Sequence, residues 1–464
     1  MGGDGAVTGT ASTRRVRADI LQTPAPGVVQ ALTDHVVSVV DGVIVDISPY
    51  SAVSEAGEHG TAGEAPSIQH LDGVLMPGLI DTHIHAPQWP QLGTGLDLDL
   101  KRWLFDLTFP LEARCADVAY ATALWHDMVP TLLRVGTTTA VYHASTHVAA
   151  TTALAEVCAH YGQRALVGRV AMDHRDGTPE YYRDSDAAAA VEASARSIDD
   201  IRAVGSSLVD AIVTPRFIPA CSDAALVGLA ELANATGVRV QTHCAESDWE
   251  HSAVLARTGC RDAQALDRFG LLADHTVLAH GTHLHDDDLT RMAVVGAGVA
   301  HCPLSNSYFA NAVFGARRAI TAGVRVGLGT DVAGGPSASL WHNAAHAVTV
   351  SQMLTDGVDP AGAEGRSPAR IDASTAMWMA TLGGADLLGL PVGLIEVGRR
   401  FDAIEVRYDP ASGVRDTDGG TANGGHAAND DHVANDDHAA RLRLERLMRS
   451  AEVCRVWVDG IAVV

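Results

Sequence analysis

Two His-x-His pairs, His83-Ile-His85 and His283-Leu-His285, occur in a chain with 22 histidines. In so histidine-rich a chain the pattern arises by chance about once, so position must separate the two. His83 and His85 close an apolar run, Val74-Leu-Met-Pro-Gly-Leu-Ile-Asp-Thr. Strand side chains alternate, so both imidazoles point to one face. His283 and His285 open a helix with Asp286-Asp-Asp288 and read as a solvated first turn. Three more residues share the strand-end position: His243 after Val238-Arg-Val-Gln-Thr, His280 after Thr276-Val-Leu-Ala, and Asp331 after Val326-Gly-Leu-Gly-Thr. Four neutral imidazoles and one carboxylate suit zinc, with ferrous iron as the alternative, and leave a position for water. Glu246 follows His243 by three residues. It could carry a proton from that water to a substrate nitrogen. Its plainer role would be a helix-start carboxylate accepting backbone N–H groups.

For these residues to converge, their strands must run parallel and end together. Eight apolar runs, at 73–85, 136–143, 164–172, 209–217, 238–243, 275–280, 298–302 and 324–331, alternate with helical stretches such as 113–134, 187–204 and 339–355. Eight strand-then-helix units over roughly 270 residues predict an α/β fold, a (β/α)8 TIM-type barrel over 72–390, rather than a doubly wound open sheet. No G-x-G-x-x-G opens the first unit, which also argues against the open sheet. The metal candidates then lie at the ends of strands 1, 5, 6 and 8, on one catalytic face. A further helix is expected over 372–390. Residues 1–14 read as a flexible leader. Residues 15–71 and 391–464 read as one small β-domain, a sandwich built from both chain ends, with Asp41-Gly42 and Asp459-Gly460 as hairpin turns. Within it, 411–440 carries the quasi-repeat His426-Ala-Ala-Asn-Asp-Asp431, His432-Val-Ala-Asn-Asp-Asp437. Divalent ions could bind such a tract, but a disordered surface insert is the stronger expectation.

Composition removes other chemistries. The formal net charge is −23, which excludes the basic surface a nucleic acid requires. The one lysine, Lys101, excludes a Walker A phosphate loop and leaves little room for Schiff-base catalysis. Seven scattered cysteines with no C-x-x-C read as reduced thiols of a cytoplasmic protein. No run approaches ~18 apolar residues and no apolar core follows the N-terminus, so neither a membrane span nor a signal peptide is expected.

Pro77-Gly-Leu-Ile-Asp-Thr-His-Ile-His85 resembles the first-strand motif of the amidohydrolase superfamily. Ala86-Pro-Gln88, Trp103-Leu-Phe-Asp-Leu-Thr-Phe-Pro110, Thr214-Pro-Arg-Phe217, Thr242-His-Cys-Ala-Glu246, His301-Cys-Pro-Leu-Ser-Asn306 and Gly327-Leu-Gly-Thr-Asp-Val-Ala-Gly-Gly335 together resemble the guanine deaminase family within it. The segment Tyr308–Phe314 departs from that pattern and leaves one pocket wall open. The resemblance implies one zinc per chain on His83, His85, His243, His280 and Asp331, with Glu246 and Asp331 catalytic. Binuclear members use a carboxylated lysine at the end of strand 4, where this chain has Thr214-Pro215-Arg216. It further implies hydrolysis of guanine to xanthine and ammonia in a cytoplasmic homodimer. Arg216 would meet O6 and N7, Gln88 another ring edge, Phe217 the purine face, and His243 would border the base. The alternatives are another aminated or chlorinated azaheterocycle, such as 8-oxoguanine, a pterin or a triazine, and a non-catalytic barrel.

Overall fold

The computed structural model describes residues 12–58, 67–310, 312–359, 361–362, 364–408 and 431–464. Apolar residues alternate along β1 (Thr13–Ala25) and β2 (Val28–Val40), which pair antiparallel. β2 turns into β3 (Val43–Pro49) through Asp41-Gly42, both at positive φ as a tight two-residue hairpin requires. β4 (Ile68–Pro77) lies parallel to β1. The remaining strands of this sheet come from the far end of the chain: β14 (Ala403–Tyr408), β15 (Ala451–Val458) and β16 (Ile461–Ala462). Together they form one seven-stranded sheet in the order β16-β15-β14-β4-β1-β2-β3. It curls until its two Asp-Gly turns meet, with Gly460 N–H donating to Phe401 C=O and Phe401 N–H to Gly42 C=O. One curled sheet therefore encloses the core of Val16, Ile20, Val37, Ile44, Leu75, Phe401 and Trp457 that was expected between two sandwich layers.

The barrel strands are β5 (Leu79–His85), β6 (Thr137–His143), β7 (Arg164–Gly168), β8 (Val170–Ala171), β9 (Val209–Pro215), β10 (Arg239–Cys244), β11 (Val277–His280), β12 (Gly298–His301) and β13 (Arg325–Leu328). All are parallel, β7 and β8 being two parts of the third position. They are nearly continuously buried, as strands covered on both faces must be. Asp331 N–H donates to His83 C=O and His85 N–H to Val332 C=O, closing the last strand end onto the first. Helices follow the strands with ordinary stop and start signals. Ser222, for example, caps Asp223–Thr236, and Gly237 ends that helix at φ 70°. The two domains are joined by a buried bidentate pair between Arg164 and Asp402, at 2.8 and 3.0 Å.

Three boundaries differ from the expectation. β1 begins at Thr13, inside the stretch 1–14 expected as a leader, and residues 1–11 lie outside the described ones. The helix expected over 372–390 is two helices, Ala373–Met379 and Leu382–Leu388. Gly383 lets the second press on the barrel, where a Cβ would stand 2.6 Å from Val326 C=O. Residues 411–430 of the insert lie outside the described residues, but Asp431–Ser450 is a helix. Its buried Ala440, Leu444, Leu447 and Met448 supply an apolar stripe at helical spacing, which offsets the acidic repeat before it. Among the described residues no helix is long and apolar enough to cross a membrane.

Candidate active site

The first, fifth, sixth and eighth strands deliver their side chains to one end of the barrel. His83 Nε2 lies 3.2 Å from Asp331 Oδ1, and His85 Nε2 lies 3.6 Å from the same oxygen. His280 Nε2 is 3.9 Å from Asp331 Oδ2 and 3.7 Å from Glu246 Oε1. His85 Nε2 and His243 Nε2 are 2.9 Å apart. His280 and Asp331 both sit at positive φ, 75° and 49°, and so does Ala245 beside Glu246, at 54°. Such backbone strain costs about 1–3 kcal/mol per residue and gathers where chemistry needs a fixed direction.

The hydrogen bonds behind these side chains decide which nitrogen faces inward. His243 Nδ1 lies 2.5 Å from Arg216 C=O, which can only accept, so Nδ1 carries the proton and Nε2 is bare. His280 Nδ1 is likewise tied to Asn306 Oδ1 at 2.9 Å. His83 Nε2 and His280 Nε2 are buried with no hydrogen-bond partner. Burial holds the pKa values of His83, His85 and His243 well below the usual imidazole range, and lowers that of His280. Neutral imidazoles crowded around a carboxylate, with lone pairs facing each other, form a cluster that a divalent cation completes. Borderline nitrogen donors and one carboxylate fit zinc or ferrous iron. His83, His280 and Asp331 form one group whose ligand atoms all lie within 4.8 Å of each other, and His243, Glu246 and His280 another.

Asp81 sets the frame beneath. Its carboxylate accepts from Thr330 N–H at 3.0 Å, Thr330 Oγ1–H at 2.5 Å and His83 N–H at 3.3 Å. One buried side chain thus ties the residue before Asp331 to His83. Burial pushes its pKa up to about 7 despite those donors. Glu246 is also buried. Desolvation first, and the charge of Asp331 second, push its pKa well above the carboxylate range, against the pull of Arg216. A carboxyl so placed holds its proton more tightly than a free one and is a candidate proton donor.

Above this floor is a narrow cavity lined by His85, Gln88, Leu100, Trp103, Leu104, Arg216, Phe217, His243, Glu246, Phe309, Asp331 and Gly334. Every sequence-predicted site residue except His83 and His280 lines it, and those two sit in the cluster beneath. The wall left open in the sequence includes Phe309, whose ring lies 5.0 Å from Trp103. Arg216 has a carboxylate partner of its own in this wall. It makes a buried bidentate pair with Glu112, at 2.6 and 3.0 Å. Gln88 joins the same carboxylate, Nε2 donating to Glu112 Oε1 at 2.7 Å, while its Oε1 accepts from Ala333 N–H at 3.2 Å. His283 and His285 stay out of the cluster. His283 stacks on His251 at 4.9 Å, and His285 caps Asp286–Val295.

Sequence reasoning missed Glu112, Asn306, Asp81 and His143. Glu112 ends a short helix, Phe109–Glu112, where no strand-end rule applies. His143 ends β6 directly beside His85, so the rule that found His85 would have found it too.

The amidohydrolase family model matches residues 74–463. The chain belongs to the amidohydrolase family. Among amidohydrolase relatives, the guanine deaminase of Homo sapiens is 34% identical over 382 residues, covering 81% of this chain and 82% of its own. The guanine deaminase of Dictyostelium discoideum is 32% identical over 338 residues, covering 71% and 72%. The solved structure of guanine deaminase from C. acetobutylicum, with guanine bound in its active site, superposes with a TM-score of 0.82. It is 25% identical, and the match covers 98% of this chain and 100% of that one. A triazine hydrolase from Arthobacter aurescens shares the fold, with a TM-score of 0.75 at 18% identity and coverage of 97% and 94%. The amidohydrolase fold thus carries more than one substrate.

Proposed function

We propose that this amidohydrolase is a guanine deaminase, converting guanine and water to xanthine and ammonia. The observation that carries the reading is a buried carboxyl, Glu246, set between inward-facing imidazoles and an aromatic and amide wall. His83, His85, His243, His280 and Asp331 would hold a divalent ion, which would supply Lewis acidity and lower the pKa of a water to about 7. Asp331 accepts the proton that this water gives up. Glu246 protonates N3, which makes C2 electrophilic; it regains the proton held by Asp331 and hands it to the departing amine, and the C2 hydroxyl proton, lost as C2=O forms, restores its carboxyl. Zinc is the ion proposed, with ferrous iron as the alternative, and one per chain because strand 4 supplies no lysine.

The base is held by what Glu112 leaves free. A guanidinium has five N–H groups, and Glu112 engages two nitrogens of Arg216 through one hydrogen each. The other N–H groups serve O6 and N7. Gln88 keeps one amide N–H and one lone pair for another ring edge, and Phe217 flanks the purine. Because Glu112 neutralises Arg216, this wall suits a neutral base better than a phosphorylated one. A cytoplasmic homodimer completes the proposal, the compartment from the scattered unpaired cysteines and the dimer from the family resemblance of the sequence. The experiment is a kcat/KM panel of guanine, 8-oxoguanine, a pterin and an aminotriazine. Guanine should lead by at least ~10²-fold, the scale on which unpaired buried polar groups reject an analogue. A lead by any other substrate would overturn the assignment.

A further inference from the structure

His143 is an imidazole that the reading above does not use. It ends β6, in register with His85 at the end of β5. Its ring centre lies 4.7 Å from that of His83, 4.7 Å from His85 and 4.8 Å from His243. It is fully buried, and neither ring nitrogen has a hydrogen-bond partner. A neutral imidazole has one donor and one acceptor, and native interiors rarely bury both unpaired. Two other buried histidines here are anchored: His243 by Arg216 C=O and His280 by Asn306. His143 has none, and its neighbours are three of the residues that face the ion. His83, His143 and His243 moreover form a group whose ligand nitrogens all lie within 4.8 Å of one another.

We propose that His143 is an alternative metal-binding residue: with an imidazole from the second strand, His83, His143 and His243 can hold an ion among themselves and still leave a position for water. The site then has an all-nitrogen face, His83, His143 and His243, sharing His83 with the mixed face that contains Asp331. Nitrogen-rich faces favour zinc and copper over the harder ions that a carboxylate-rich site would admit. The claim rests on the metal reading proposed above.

The test is zinc affinity of metal-stripped protein, by competition with a chromophoric chelator, together with the visible spectrum of the cobalt-loaded form. His143→Gln keeps a donor and an acceptor, so it satisfies a merely structural hydrogen-bonding role. His143→Phe keeps a ring of similar bulk and covers the case in which the first variant fails to fold. Both should weaken zinc by at least about 10–100-fold and change the cobalt bands, while the stripped proteins melt near the stripped parent. A folded variant with parental zinc affinity and a superimposable cobalt spectrum overturns the role of His143 and leaves the metal reading intact. A stripped parent that takes up no zinc overturns both.

Discussion

The same strands build two opposite environments. Toward one end of the barrel, Ile80, Val141, Leu166, Ile212, Val277 and Ala300 meet in an apolar layer closed by Ala385, Leu387, Leu388 and Val392. Two or three residues further along the same strands stand His83, His143 and His280. The first layer is complete in itself. The second leaves His83 Nε2, both nitrogens of His143 and His280 Nε2 without partners. Burial stabilises the one and penalises the other, so the polar end persists because the apolar end and the helix Leu382–Leu388 hold it in place. The difference separates residues that make the fold from residues that the fold makes useful.

The largest effect should come from the polar end. His83→Ala removes the residue shared by two of the candidate ligand groups, so bound metal and turnover should both fall to background. His285→Ala, a substitution in the other His-x-His pair, should keep the ion. Elemental analysis of the two purified variants checks this, and metal retained in His83→Ala would break the contrast. Next in size is Glu246→Gln, which keeps the shape of the side chain and should keep the metal. Turnover should drop by ~10²–10⁴-fold or more, because an amide cannot deliver a proton to N3. Activity within about threefold of the parent would return Glu246 to a helix-start carboxylate.

The apolar end predicts the reverse pattern. Leu387→Ala, at a fully buried position, should cost about 2–5 kcal/mol of stability by opening a cavity. The kcat of the folded fraction should hold. Denaturant unfolding alongside steady-state kinetics reads both, and a specific loss of kcat without loss of stability would erase the distinction between the two layers.

The smallest effect concerns the loop that carries Glu246. His251 Nδ1 lies 2.7 Å from Asp262 Oδ2, and Asp262 Oδ1 accepts from Ala245 N–H at 3.3 Å. That hydrogen bond raises the pKa of His251 from 6.5, burial opposes it, and the charge of Asp262 adds to it. A raised pKa means that the pair's contribution is fully present below pH 6.5 and is lost as pH rises through the folded value. His251→Gln should therefore lower the melting temperature at pH 6, by the equivalent of no more than ~1 kcal/mol for a pair whose histidine is partly exposed, and hardly at pH 9. An equal loss at both values would remove the ion pair from the account.

The strand-end residues were legible because alternation and length mark a parallel strand, and a histidine or aspartate at its end has few structural uses. His83, His85, His243, His280 and Asp331 all emerged that way. His143 obeys the same rule, since the run 136–143 ends on it. Glu112 was invisible for a better reason. It meets Arg216 across 104 residues, through a helix whose placement depends on tertiary packing. Most strands of the seven-stranded sheet were legible one by one, but β4 was merged into the barrel run 73–85, and the single curled sheet left no local trace, since its register joins the two chain ends. The helix Asp431–Ser450 was hidden by the acidic quasi-repeat that opens it.

The central claim is that one metal ion on this cluster drives deamination of guanine. Its most direct test is to titrate zinc into metal-stripped protein and measure ammonia and xanthine released from guanine at each step. Activity should rise in proportion to zinc and break sharply at one ion per chain, with ammonia and xanthine formed in equal amounts. Full activity in the stripped protein, or a break at two ions per chain, would contradict it.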